Sequence, residues 1–310
     1  MTDLYHAAER GGLIRVKDLL NKKFYSQREI NLALITAAKY GHLEIVEYLV
    51  EKGADVTIWD NWALIEVAPN GHLVVMEFLV KKGADVTARD NKALITASGN
   101  DHLAVVEFLV KKGADVHAKD NSALIRSSEN GYLAIVKFLV KNGADVHAQD
   151  NSALILAASN GHLKVVEYLV NNGADIHAQN NSALNLAAAN GHLDIIKYLI
   201  EKGANVSAQN NPALMLAAYK NHLKVVNLLL EYGARDQDYE ALATSILNNK
   251  QNIIKLLLEY YYPRDVIENL LTKVSNPKII SLLRDYLNQK FLISPQDQRL
   301  LEGDKLNIDK

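Results

Sequence analysis

The chain has 310 residues, with 34 basic and 36 acidic side chains that give a formal net charge of −2. A charge this small provides no bulk basic field for nucleic acid or for an anionic membrane. Because the sequence contains no cysteine, a disulfide framework, a thiolate nucleophile and a zinc–thiolate site are excluded.

The sequence also predicts where the chain acts. No apolar run approaches the ~18 residues that cross a bilayer. The first six residues do not form the basic segment and apolar stretch of a secretory signal. Missing cysteines are typical of a reducing compartment. We therefore expect an intracellular, cytoplasmic protein without membrane contact.

A fixed period of thirty residues runs through most of the chain. Residues 151–180 recur with few changes at 121–150 and 181–210. Such a period is the signature of a repeat array in which each unit packs only on its neighbours. Each unit opens with Asn-x-Ala-Leu, and the opening asparagines are Asn31, Asn61, Asn91, Asn121, Asn151, Asn181 and Asn211.

Within a unit, the pattern predicts two antiparallel helices and a turn. In the unit 151–180, the first helix runs from Ala153 to about Ser159 and ends at an Asn-Gly pair. The second helix begins at Leu163, carries one apolar stripe and ends at Gly173. The Gly-Ala-Asp-Ile that follows is predicted to enter a tight extended turn.

The opening asparagine is predicted to cap the first helix, with its side chain accepting a hydrogen bond from a free backbone N–H of the first turn. The next residue is then the first helical position, which suits Pro212. A serine cap at positions 122, 152 and 182 is the alternative, but Trp62 and Lys92 stand at the same position and could not replace it. Replacing Asn151 by alanine is therefore expected to cost about 1 kcal/mol.

The two ends of the array depart from the regular unit. Residues 1–30 keep the register but lack the later loop, so we interpret them as an N-terminal capping repeat. Residues 31–240 hold seven repeats of 30 residues. After Gly233 the register slips, and we interpret 241–290 as degenerate C-terminal capping repeats and 291–310 as a polar tail. The predicted fold class is all-α, a solenoid of stacked helix-turn-helix units with short β-turn fingers.

The unit resembles the ankyrin repeat. The shared pattern is Ala-Leu-x-x-Ala-Ala-x-x-Gly-His-Leu, followed by Gly-Ala-Asp-Val, and it recurs in register over roughly residues 1–260. Asn-x-Ala-Leu replaces the usual Gly-x-Thr-Pro-Leu-His, and three residues of the usual 33 are missing at the finger tip. This form is similar to the ankyrin arrays of giant DNA viruses, with protists and intracellular bacteria as alternative sources.

The resemblance implies a monomeric, non-enzymatic scaffold that binds a protein partner, within a host cell if the source is viral. Ankyrin proteins use the finger tips and the concave face of the first helices. Because the fingers are short here, the first-helix surface is expected to provide more of the contact. No cofactor is implied.

Two repeated columns could suggest a metal or catalytic site. Stacked helices lie ~8–10 Å apart, too far for one column to share a metal with bonds of ~2 Å. We expect the histidines to bond backbone in the inter-helix loop and the aspartates to bond local backbone in turns. The Gly-His-Leu column holds His42, His72, His102, His162, His192 and His222. The Gly-Ala-Asp column holds Asp55, Asp85, Asp115, Asp145 and Asp175.

Positions that vary along the array predict the binding surface, because a repeat scaffold keeps its packing columns alike. The only tryptophans stand where other units have Gln, Lys, Arg or Ser, and tryptophan is enriched in interface hot spots. The alternatives are neutral drift of these columns, or a cap loop that folds Phe24 and Tyr25 over Trp59. The predicted protein-binding residues are Trp59, Trp62, Glu66, Arg89, Lys92, Arg126 and Glu129.

A segment near the C-terminus offers a different function. Residues Tyr262 to Val274 faintly resemble the start of an F-box, which would make the chain a substrate-receptor adaptor for a ubiquitin ligase. The match consists of one proline and a few apolar positions. A degenerate capping repeat explains it equally well.

Overall fold

The computed structural model describes residues 3–206, 212–260 and 262–291, which form twenty α-helices and no β-strand. The chain divides into two compact units, residues 1–179 and 180–310. The all-helical repeat architecture predicted from the sequence is confirmed within each unit. None of the helices in the described ranges is long and apolar enough to span a membrane.

The first unit is a stack of helix pairs, in which first helices pack on first helices and second helices on second helices. The first helices are α1 (Asp3–Glu9), α3 (Gln27–Lys39), α5 (Ile58–Val67), α7 (Ala88–Ser98), α9 (Ala118–Glu129) and α11 (Ala148–Ser159). The second helices are α2 (Leu13–Lys22), α4 (Leu43–Glu51), α6 (Leu73–Lys81), α8 (Leu103–Lys111), α10 (Leu133–Lys141) and α12 (Leu163–Asn171). A 3-10 turn, Ala68–Asn70, follows α5.

The second unit has the same pairwise organisation. Helix α15 packs on α17, α16 packs on α18, and α19 packs on α20. Its helices are α13 (Ala178–Asn190, of which 180–190 fall in this unit), α14 (Leu193–Glu201), α15 (Ala213–Tyr219), α16 (Leu223–Glu231), α17 (Glu240–Leu247), α18 (Gln251–Leu257), α19 (Arg264–Leu271) and α20 (Pro277–Phe291). Asn211 and all but the first residue of the predicted tail lie outside the described residues.

The core follows the thirty-residue register. A helix that buries one stripe of leucine and alanine gains ~25 cal/mol for each Å² of apolar surface removed from water, and neither helix of a pair can bury its stripe alone. The leucine of Asn-x-Ala-Leu is fully buried throughout the first unit. These residues are Leu34, Leu64, Leu94, Leu124 and Leu154.

The segment expected to be a short β-turn finger is a single turn of left-handed helix. Trp59, Asp60 and Asn61 have φ of 49°, 59° and 60°, and the Asn61 N–H donates to the Thr57 carbonyl at 3.0 Å. The same conformation recurs at 89–91, 119–121 and 149–151. Left-handed residues cost roughly 1–2 kcal/mol each, except that glycine, asparagine and aspartate adopt this conformation more readily. The Asp-Asn pair in most units suits the turn.

The opening asparagine stands directly before the right-handed helix, but its side chain makes a different bond from the predicted one. Asn151 Oδ1 accepts the backbone N–H of Asp175 at 2.8 Å, so the predicted N-cap bond to the first turn was wrong. The asparagine instead ties the start of a unit to its closing turn. The equivalent pairs, at 2.7–2.9 Å, are Asn31–Asp55, Asn61–Asp85, Asn91–Asp115 and Asn121–Asp145.

The first regular unit also begins earlier than predicted. Asn31 lies inside α3, which begins at Gln27. The Ser26 hydroxyl accepts the Glu29 N–H while the Glu29 carboxylate accepts the Ser26 N–H. This capping box starts the helix four residues before the asparagine, so Asn31 is not a cap.

Candidate protein-binding groove

The turns form one edge of the first unit and are held by local bonds. The Asp55 carboxylate accepts the Thr57 N–H at 2.8 Å, two residues along the chain. The Asp85 carboxylate accepts the Thr87 N–H in the same way, and the three later aspartates of this column each accept the N–H two residues along. The prediction that these aspartates bond local backbone is confirmed.

A second set of bonds links each turn to the one before it. The Arg89 guanidinium donates to the Trp59 carbonyl at 3.0 Å and lies 3.5 Å from the Asp60 carboxylate. Two units further along, Gln149 stands in the same column as Arg89 and donates to the Asp120 carbonyl at 3.3 Å. This column, which the sequence predicted as a binding edge, therefore also connects neighbouring turns.

Trp62 is the first right-handed residue of α5 after the left-handed turn, and it is half-buried. The Arg89 guanidinium carbon lies 4.6 Å from the centre of its ring. A cation over an aromatic face contributes about 0.5–1 kcal/mol at an exposed site. Arg89 thus covers one face of the Trp62 ring and links α5 to the turn of α7.

A cavity of about 350 Å³ opens beside Trp62. Its apolar wall belongs to α5 and the 3-10 turn that follows, and its basic wall comes from the next two units. The lining residues are Trp62, Ile65, Glu66, Pro69, Arg89, Lys92, Thr96 and Lys119.

A second cavity, of about 240 Å³, shares Lys92 and Thr96 with the first. It extends towards α9 through Arg126 and Asn130. We call the two together the α5–α9 groove. The lining residues of the second cavity are Lys92, Ile95, Thr96, Gly99, Asn100, Arg126 and Asn130.

Five of the seven residues predicted from the sequence line this groove. Two do not. Glu129 lies beside it, with its carboxylate 3.6 Å from the Arg126 guanidinium. Trp59 lines a separate cavity of about 530 Å³ with Gln27 and Arg28. The five that line the groove are Trp62, Glu66, Arg89, Lys92 and Arg126.

The alternative in which the cap loop covers Trp59 does not hold for Phe24. The Phe24 side chain is 97% exposed and Trp59 is 42% exposed. Tyr25 is buried, and its hydroxyl donates to the Asp3 carboxylate at 2.7 Å. The cap loop is therefore held to α1 by Tyr25, and Phe24 covers no neighbour.

Sequence variation did not single out every residue of the groove. Ile65 and Ile95 belong to a column that is isoleucine in five successive units, so variation along the array could not mark them. Pro69 and Lys119 do stand in varying columns. Their columns are those of Trp59 and Glu129, so the signal was present, but these two residues were not selected from it.

Histidines of the Gly-His-Leu column form hydrogen bonds with backbone carbonyls of the preceding unit, as the sequence predicted. His102 Nε2 lies 2.9 Å from the Pro69 carbonyl, and His162 Nε2 lies 3.0 Å from the Glu129 carbonyl. A Cβ added to Gly71, where φ is +71°, would lie 2.5–2.9 Å from the His102 ring. Among the described residues, no group of three or more His, Cys, Asp or Glu side chains is placed to hold a metal ion.

One exception within the chain supports this packing rule. Asp101 replaces the glycine in the unit 91–120, with a φ of 62°. In the following unit Tyr132 replaces the histidine. The unit that carries a Cβ here, at Asp101, is thus followed by a unit that lacks the imidazole ring.

The F-box-like segment is part of a packed helix pair. Tyr262 is buried, its N–H donates to the Tyr286 hydroxyl at 2.6 Å, and its own hydroxyl donates to Asp236 at 3.1 Å. Burial raises the pKa of the Asp236 carboxyl, although the N–H groups of Ala241 and Leu242 oppose this rise in pKa by donating to it. These are packing contacts within the second unit, and both the capping role and ligase recruitment stay predictions.

Comparison with known families supports the resemblance drawn from the unit pattern. The model for ankyrin repeats, three copies, matches residues 1–60, 64–150, 124–210 and 207–268. A search of curated proteins returned no match. Since the matched segments cover well over half of the sequence, the chain belongs to the ankyrin-repeat family.

Proposed function

We propose that this chain is a non-enzymatic scaffold and that the α5–α9 groove is its protein-binding site. Ankyrin repeats generally mediate protein–protein interaction. The observation that carries the proposal is the cavity beside Trp62, because an aromatic ring in a partly enclosed pocket is a common form of binding hot spot. The groove lies on first helices, the surface that the shortened turns leave accessible.

The histidines support a scaffold rather than a catalyst. His42, His102 and His162 each place Nε2 about 3 Å from a backbone carbonyl of the preceding unit. A nitrogen that donates to such a carbonyl is already engaged in a structural bond. Each ring therefore joins neighbouring units and is not directed into the groove.

The abbreviated unit supports three further parts of the proposal. We place the source among giant DNA viruses, the site of action in the cytoplasm of the host cell, and the partner among host proteins. We also propose that the free chain is a monomer. Sedimentation velocity of the purified protein tests this last point, because a second, faster boundary that grows with concentration would show self-association.

Affinity capture from cell lysate tests the proposal when three baits are compared. Wild-type protein should retain partners that Trp62→Ala loses, because the substitution removes the apolar wall of the cavity. The matched control is Tyr168→Ala, which truncates another half-buried aromatic ring, on α12 and outside the groove. Equal capture by the wild type and Trp62→Ala would contradict the proposal.

The same capture examines the ubiquitin-ligase alternative. If core ligase subunits were retained by all three baits and lost only when residues 262–274 were replaced, the chain would act as an adaptor. If the chain is a scaffold without that role, the baits should capture partners without also capturing ligase subunits.

A further inference from the structure

We infer that the α5–α9 groove takes an extended acidic peptide segment of the partner, with one large apolar side chain beside Trp62. This inference rests on the proposed function and specifies the chemistry of the partner. It rests on three features of the groove: its positive charge, the restriction of that charge to a few units, and its apolar wall.

The lining of the groove is strongly basic. Four of its side chains are cationic and one, Glu66, is acidic. The Glu66 carboxylate lies 3.3 Å from the Lys39 ammonium, which offsets its charge. The four lining cations are Arg89, Lys92, Lys119 and Arg126.

Lys92 is the central cation of this set. It lines both cavities, is exposed, and forms no ion pair with any described residue. Arg89 and Lys119 lie 3.5 and 3.8 Å from single carboxylates on exposed turns, where ion pairs contribute at most about 1 kcal/mol. A carboxylate of a bound peptide can therefore interact with these cations at little cost.

The basic character is local to these units. One unit further along the first unit's stack, Gln149 replaces Lys119 and Leu156 replaces Arg126. Ser152 stands two units after Lys92. Because the whole chain has a net charge of −2, the groove is a positive region on an otherwise slightly acidic protein, which favours an acidic ligand by charge complementarity.

The apolar wall of the groove predicts that the ligand has an apolar side chain as its anchor, and it favours a peptide over a nucleic acid. Trp62, Ile65 and Pro69 offer apolar surface without a hydrogen-bonding pattern that would read a base. Arg89 already covers one face of the Trp62 ring at 4.6 Å, which hinders the base stacking that single-stranded nucleic acids use. An apolar side chain beside the ring edge requires no such displacement.

The length of the groove sets the size of the ligand. Stacked helices lie about 8–10 Å apart, so α5 to α9 spans about 20 Å. An extended chain rises about 3.3 Å per residue. Six or seven residues, by this estimate, cover the groove.

The experiment selects ligands from a phage-displayed library of random peptides about eight residues long, with the full chain as bait. The selected sequences should be enriched in Asp and Glu, depleted in Lys and Arg, and share one large apolar residue. A synthetic peptide from the selection should bind about tenfold more weakly to Lys92→Glu. It should also bind more weakly as NaCl rises from about 50 to about 500 mM, because salt screens exposed charges.

A charge-matched control separates the groove from net charge. Lys141→Glu makes the same charge change in the last turn of α10, where the side chain is exposed and lines neither cavity. Its affinity for the peptide should stay within about twofold of wild type. Lys92→Gln, which removes the charge without reversing it, should give a smaller loss than Lys92→Glu, and circular dichroism should show both variants folded.

The possible results distinguish a failure of the acidic-ligand inference from a failure of the proposed site. Selected peptides that need Trp62 but are neutral or basic would overturn the acidic-ligand inference and leave the proposed site standing. Peptides that bind Trp62→Ala as tightly as the wild type would overturn the site itself. Tighter binding of a labelled oligothymidylate than of the selected peptide would show that the basic groove serves nucleic acid, and the inference would fail.

Discussion

The bond between Asn151 and Asp175 can be tested by three substitutions that separate two energetic contributions. Asn151 combines a left-handed backbone, with φ of 64°, and a side chain that accepts the Asp175 N–H at 2.8 Å. Glycine keeps the backbone conformation and removes the bond. Alanine removes the bond and disfavours the conformation. Aspartate keeps an acceptor in the same place.

The magnitudes follow from the geometry. Loss of one hydrogen bond costs about 1 kcal/mol, so Asn151→Gly should reduce the free energy of unfolding by about that amount. A left-handed non-glycine residue adds roughly 1–2 kcal/mol, so Asn151→Ala should cost about 2–3 kcal/mol. Asn151→Asp should lie close to wild type, because the carboxylate accepts the same N–H.

The assay combines chemical denaturation with amide hydrogen exchange, because a long repeat array does not always unfold in one step. Denaturation followed by circular dichroism gives the total cost. Exchange of the Asp175 amide reports the bond itself, and it should be protected in wild type and Asn151→Asp but not in Asn151→Gly. Ser152→Ala is the neighbouring control, since its exposed bond to the Gln149 carbonyl contributes little.

Two results would refute this reasoning. If Asn151→Gly cost only a few tenths of a kcal/mol, the asparagine would behave as an ordinary helix cap, where glycine is nearly as good. If the alanine and glycine variants cost the same, the left-handed turn would be absent in solution.

Three further predictions concern the scaffold. The Ser128 hydroxyl is fully buried without a hydrogen-bond partner in the described structure. Ser128→Ala should therefore stabilise the protein by about 1 kcal/mol, as measured by thermal denaturation. Ser127→Ala is the control and should not stabilise the protein, because its hydroxyl donates to backbone carbonyls. Gly71→Ala should cost more than Gly113→Ala, since both have positive φ but only the first would meet an imidazole ring. Hydrogen bonds from an ammonium and a phenol lower the pKa of Asp3 to about 2. The stability this carboxylate provides is therefore present above pH 4 and lost as the pH falls through 2, and an NMR titration of its carboxyl carbon checks the pKa.

Most of the fold could be predicted from the sequence because its period is explicit. The recurring Leu154 and Ala157-Ala158 mark one face of the first helix, and Gly173 marks the end of the second. A unit that repeats many times allows each column to be assigned to packing or to the surface. The buried columns of the described helices follow that assignment.

The conformation of the turns could not be predicted in the same way. Gln149, Asp150 and Asn151 adopt a left-handed turn that single-residue preferences do not foresee, because only asparagine and aspartate favour it and the first residue of the turn varies. Once the turn is left-handed, the asparagine side chain points to the closing turn of its own unit. At Asn151 the cap prediction therefore had the correct position and the wrong partner, whereas at Asn31 the position was wrong as well.

The groove was predicted in part. Trp62 stood out because it is the one aromatic residue in its column, and Lys92 and Arg126 because their columns vary. That Trp59, only three residues away, lines another cavity depends on the left-handed turn between them. Sequence spacing alone treated the two rings as one patch.

The most direct test of the account is the fluorescence of Trp62 during binding. In Trp59→Phe, Trp62 is the only tryptophan, so emission reports the groove alone. The half-buried ring beside a guanidinium should emit at long wavelength in the free protein and shift to shorter wavelength as a captured partner or selected peptide saturates the groove. An unchanged emission spectrum, while calorimetry shows full binding of the same ligand, would place the binding site elsewhere on the chain.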